Sequence, residues 1–110
     1  MAEASSTDVP LLRTDLAHLL ERITDGFFAL DSAWRLVYIN AEARNLLRVG
    51  SDVVGMYWLD AFPRARGTAF EREYTRAMRE QIPVQFVEFS ATSQRWLEVK
   101  AYPSPDGISV

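Results

Sequence analysis

The sequence predicts an α+β domain: one five-stranded antiparallel sheet, helices on one of its faces, and an amphipathic helix at the N-terminal end. Three observations predict it. Two short β-prone runs lie side by side near residue 30, joined by a tight polar turn. Helical patterns fill the middle of the chain as far as residue 81, and three further β-prone runs come after them. At 110 residues, 48% hydrophobic and 25% charged, the chain has the size and composition of a single globular domain.

The elements justify themselves in order. Residues 1–10 are small and polar and read as a frayed tail. Leu12, Leu16, Leu19 and Ile23 are spaced by four, three and four, with Leu20 beside them, so a helix over 11–25 carries one apolar stripe, equivalent to two turns of a coiled-coil seam. Gly26 supplies its C-cap. Phe27–Leu30 and Arg35–Ile39 read as strands, and Asp31-Ser32-Ala33-Trp34 as the turn between them. Asn40 has an N-capping side chain and Ala41–Leu47 has helix formers, with Gly50-Ser51-Asp52 expected to close that helix. Gly55–Phe62 is aromatic and ends at Pro63, which fits one or two loose helical turns. Thr68 and Glu71 have capping-box spacing ahead of a longer helix to about Gln81, stopped by Pro83. Val84–Phe89, Arg95–Tyr102 and Ile108–Val110 read as the last three strands, the second ending at Pro103.

Alternation along these strands says more. Leu97, Val99 and Ala101 point one way, Trp96, Glu98, Lys100 and Tyr102 the other; Val84, Phe86 and Glu88 oppose Gln85, Val87 and Phe89. Large apolar groups therefore stand on both faces, whereas a sheet wet on one side alternates more cleanly. The second face needs a cover, and the leucine stripe of the first helix or a partner chain can supply it.

Composition excludes much. No cysteine means no disulfide, no thiolate metal site, no iron–sulfur cluster and no cysteine nucleophile. A single histidine, His18, rules out a two-histidine metal site within one chain. A net charge of −3 leaves no footprint for nucleic acid and no polybasic patch for direct membrane contact. No apolar run approaches the roughly 20 residues of a membrane helix, and the first residues lack the pattern of a signal peptide; the chain reads as cytoplasmic. His18 reads as a surface or interface residue: a phospho-acceptor box does not continue after it, and no serine completes an acyl-transfer site with Asp15. Arg64, Arg66, Arg72, Arg76 and Arg79 are interleaved with Glu71, Glu73 and Glu80, the pattern of a solvated helix face.

Ile23-Thr24-Asp25-Gly26-Phe27-Phe28-Ala29-Leu30-Asp31, then Trp34-Arg35-Leu36-Val37-Tyr38-Ile39-Asn40, resemble the opening of a PAS domain; Arg95 to Gly107 resembles its closing hairpin. The resemblance covers about residues 11–110, as an N-terminal helix over 11–25 and a core over 26–110 whose last strand is truncated. It implies a non-catalytic sensory module of a bacterial signalling protein, of the sensor histidine kinase type, joined to an output domain. Thiol-linked flavin and photoactive chromophores of that family need a cysteine, which is absent, and its haem sensors use a histidine on the long middle helix, where Phe70, Tyr74 and Met78 stand instead. No cofactor is predicted beyond a non-covalent small molecule.

Phe28, Ile39, Leu47, Trp58, Phe62 and Phe70 are expected to face the space between sheet and helices. Tyr74, Met78, Phe86, Leu97 and Val99 join them, with Glu88 placed on the same side by its alternation with Phe86. That space is either a filled core or a pocket for an apolar or aromatic molecule stacked on Trp58 and Tyr74. A homodimer through Leu12, Leu16, Leu19, Leu20 and Ile23 and the outer sheet face is the expected assembly. Two other readings stand beside the sensor: a ligand-free pairing module of a diguanylate cyclase or phosphatase regulator, and a small enzyme or carrier for which only Glu88, Tyr74 and Tyr57 offer polar groups.

Overall fold

The computed structural model describes residues 25–110. The first helix, with His18 and the stripe of Leu12, Leu16, Leu19, Leu20 and Ile23, lies outside the described residues. In chain order the described elements are β1 (Phe28–Asp31), β2 (Leu36–Ile39), α1 (Ala41–Leu47), a 3-10 turn (Ser51–Val53), α2 (Trp58–Ala61), a second 3-10 turn (Pro63–Ala65), α3 (Ala69–Glu80), β3 (Val84–Ser90), β4 (Arg95–Ser104) and β5 (Gly107–Ser109). The five strands form one antiparallel sheet in the order β2-β1-β5-β4-β3.

Side chains explain the local turns. Asp31 Oδ1 accepts from the amides of Ala33 and Arg35, both at 2.9 Å, and Trp34 takes a left-handed conformation, φ 66°, so the β1–β2 turn is built from the aspartate. Asn40 is fully buried; its Oδ1 accepts from Ala43 N and from Phe27 N, both at 2.9 Å, and its Nδ2 donates to the Asp25 carbonyl at 3.1 Å. One side chain thus caps α1 and ties down the strand before it. The edge of β2 is covered by the next segment: Leu36 N donates to Met56 O and Gly55 N to Leu36 O, with Arg35 bridged to Tyr57.

Three local expectations are corrected. Arg48, not Gly50-Ser51-Asp52, ends α1, in a left-handed conformation (φ 60°, ψ 45°) with its amide bonded to Arg44 O; Ser51–Val53 forms its own 3-10 turn. The capping box does not form: the Thr68 hydroxyl donates to Ala65 O at 2.6 Å, closing the preceding turn, and Glu71 Oε1 accepts from Gly67 N rather than from Thr68. β4 runs through Pro103 to Ser104 because β3 stops at Val84, opposite Ala101; at Pro103 the strand is paired with β5 alone, so on its other side a missing N–H is tolerated.

The core lies between the inner sheet face and the helices. Phe28, Leu30, Leu36 and Ile39 of the hairpin meet Trp58 and Leu59 of α2, Tyr74 and Ala77 of α3, and Val84, Val99 and Ala101 of β3 and β4. Gly107 is required at the turn into β5: its φ is 153°, and a Cβ there would stand 1.9 Å from the Leu30 carbonyl oxygen.

Candidate functional site

α3 and α2 carry rings that meet those of the sheet in a continuous aromatic cluster. Trp34 stacks on Trp58 with centroids 5.9 Å apart, Trp58 meets Tyr74 at 5.2 Å, and Tyr74 meets Phe28 at 6.3 Å and Phe86 at 6.1 Å. Phe28 meets Phe62 at 5.5 Å, and Phe70 meets Phe86 at 5.8 Å. Trp58 and Tyr74 are each 3% exposed and engage one another, so no flat ring fits between them, and both also line the cleft.

Beside this cluster opens a cleft of about 800 Å³. Phe28, Leu47, Trp58 and Phe62 line it, as do Phe70, Tyr74, Leu97 and Val99. Ile39, Met78, Phe86 and Glu88 are not on its wall: Ile39 is buried in the core, while Met78 and Phe86 pack against the core half-buried. Glu88 lies opposite Leu97 in the β3–β4 ladder, two residues from Phe86 and on the same face; it is half-buried and makes no hydrogen bond or ion pair with a described residue. Sequence alternation therefore places Glu88 on the helix side of the sheet but not in the cleft.

β4 is only partly paired on its β5 side. β4 pairs with β5 only from Tyr102 to Ser104; over Arg95–Ala101 it pairs with β3 alone among the described residues. Asp25, Gly26 and Phe27 also line the cleft, as do Trp96, Glu98, Lys100 and Tyr102 of β4. β5 itself is anchored by Val110, which exchanges backbone bonds of 2.9 and 3.0 Å with Phe28.

Two polar features belong to the cleft. The hydroxyl of Tyr74 makes no hydrogen bond to a described residue, and burial pushes the phenol well above its ordinary pKa because the phenolate loses its hydration. At the mouth, a smaller annex of about 190 Å³ is lined by Glu42, Asn45, Leu46, Arg48, Ser93 and Arg95. Spacing gave no signal for this annex, since its residues come from α1, its C-cap, the β3–β4 turn and the start of β4. Also lining the cleft, Arg64 Nη1 donates to the Ala91 carbonyl at 3.3 Å, joining the second 3-10 turn to the β3–β4 turn. The remaining arginines behave as a solvated helix face: Arg76 reaches Glu73 at 2.8 Å and Glu80 at 3.5 Å, and Arg66 reaches Asp60 at 3.6 Å. Among the described residues no three His, Asp or Glu side chains gather as a metal site, and no helix is long and apolar enough to cross a membrane.

A family model described as the PAS fold matches residues 20–110. Comparison with curated proteins finds no match. Among solved structures, a sensory box sensor histidine kinase from Vibrio cholerae superposes with a TM-score of 0.66 at 14% identity, covering 96% of this chain and 93% of that one. The PAS domain of BvgS from Bordetella pertussis gives a TM-score of 0.61 at 18% identity, with 89% and 82% covered. A PAS domain from a two-component sensor histidine kinase gives 0.55 at 16%, with 91% and 93% covered. At these identities the likeness is one of fold.

Proposed function

The chain belongs to the PAS-fold family, and from that premise we propose that it is a regulatory sensor domain of a bacterial signal-transduction protein of the sensor histidine kinase type. It is not itself catalytic. It takes an apolar or aromatic small molecule, held without a covalent bond, into the cleft beside Trp58 and Tyr74, and passes the resulting change in packing to a covalently attached output domain. The neighbours that support the kinase type are named as sensor histidine kinases or their domains.

The observation that carries the ligand reading is Tyr74. A phenol 3% exposed, at the wall of an apolar cleft, has no protein partner for its hydroxyl among the described residues. The hydroxyl is not sealed in the core, since it is absent from the buried side-chain atoms left without a partner, and it stays open to an acceptor on a molecule in the cleft. Denaturing the purified chain and examining the extract by mass spectrometry tests it: a stoichiometric aromatic or apolar compound is the expected result. An extract empty of any such compound removes the ligand and leaves the pairing module of a diguanylate cyclase or phosphatase regulator.

That second reading has its own observation. Val87, Trp96 and Tyr102 stand on the outer sheet face at 60%, 70% and 56% exposure. Apolar groups so displayed are the usual material of a protein interface, and the homodimer expected from the leucine seam would cover them.

A further inference from the structure

The annex at the mouth of the cleft has the chemistry of an anion site. We infer that it receives the carboxylate of an amphipathic ligand whose aromatic body lies in the cleft. This rests on the reading of the cleft as a ligand pocket and adds the chemical class of the ligand to it.

Four observations carry the inference. The annex adjoins the cleft, since Arg48, Arg95, Glu42 and Leu46 line both. Arg48 and Arg95 form no ion pair with a described residue, whereas Arg66, Arg76 and Arg79 pair with neighbouring carboxylates and Arg64 and Arg72 donate to backbone carbonyls. Ser93 Oγ is buried there with no hydrogen-bond partner among the described residues, a donor left over where an acceptor is due. The annex walls are otherwise Asn45, which can donate through its amide, and a single carboxylate, Glu42. Two guanidinium groups against one carboxylate leave a net positive charge around an unused hydroxyl. Planar guanidinium groups favour carboxylates geometrically. The apolar wall of Phe62 and Leu97 within the same cleft sets the rest of the ligand. A carboxylate in the annex leaves the aromatic body of the acid in the adjoining cleft, which Tyr74 also lines.

The test uses the 110-residue chain with 2-naphthylacetate and its neutral isostere 2-naphthylacetamide, titrated by calorimetry. The acid is expected to bind about tenfold tighter than the amide, the worth of one charge-assisted contact. Arg95→Gln is expected to weaken the acid about tenfold and leave the amide unchanged. Glu42→Gln is expected to tighten the acid a few-fold, on the order of a like-charge repulsion removed, again without effect on the amide. Both positions are at or near the surface, and circular dichroism confirms that each variant folds. Equal affinity of acid and amide, with Arg95→Gln without effect, overturns the anion site and leaves the apolar pocket standing. Failure of both compounds to bind at millimolar concentration overturns the pocket reading and the inference with it.

Discussion

Tyr74 shows how one side chain couples stability to function. Its phenol is raised above the ordinary value of about 10 by desolvation. The unfolded chain therefore loses the proton first. Stability contributed by the neutral buried phenol is fully present below about pH 10 and is lost as pH rises from there toward the folded value. Above pH 10 the wild-type chain is expected to lose about 1.4 kcal/mol per pH unit relative to Tyr74→Phe. At pH 8 the two should lie within about 1 kcal/mol, because the hydroxyl removed has no partner to lose among the described residues. Urea midpoints at pH 8, 10 and 11 check this; parallel decline of the two proteins would show that Tyr74 does not titrate in this window.

At the scale of elements, Asn40 joins three of them. Its carboxamide caps α1 through Ala43 and holds Phe27 and Asp25 against it. Asn40→Ala removes a cap, about 1 kcal/mol, and orphans a part-buried amide at Phe27, about 1–3 kcal/mol more. A loss of about 2–4 kcal/mol in chemical denaturation is expected, with faster hydrogen exchange at Ala43 and Phe27. Asn40→Asp keeps the acceptor for both amides and should lose less; equal loss in the two variants would mean that the Asp25 contact dominates.

The cap at Asn40 is also where the sequence was easiest to read. A side chain that hydrogen-bonds locally announces a boundary, and α1 begins at Ala41, where the cap places it. The strands were legible for a similar reason, since alternation is local. Features set by distant partners were not legible. Nothing near Pro103 tells that β3 has already ended beside it, and nothing near Arg48 announces a left-handed arginine, which costs about 1 kcal/mol against glycine. At Thr68 the spacing was right and the bond was not, because the hydroxyl found Ala65 first. In the site, aromatic positions were readable because size and spacing mark a core. The annex was not, because Arg48, Ser93 and Arg95 meet only after the sheet has formed.

At the scale of the whole molecule, one face of the sheet is closed by helices and the other displays Val87, Phe89, Trp96 and Tyr102. Phe89 and Trp96 pack edge to face at 5.6 Å, and Phe27 meets Tyr38 at 6.0 Å, so the rings form groups rather than isolated exposures. A stable dimer buries about 800 Å² per partner, and aromatic residues are the side chains that most often carry interface energy. We propose that this face, with the leucine seam of 11–25, is where two copies meet. Light scattering at high micromolar concentration is expected to report a dimer. Val87→Lys with Trp96→Lys should shift it to monomer while changing monomer stability by no more than about 1 kcal/mol, since both side chains are already more than half exposed. Leu16→Glu should act in the same direction if seam and sheet belong to one interface, and a dimer that survives Leu16→Glu but not the sheet variant assigns the contact to the sheet alone. A wild-type monomer, unchanged by either, overturns the assembly.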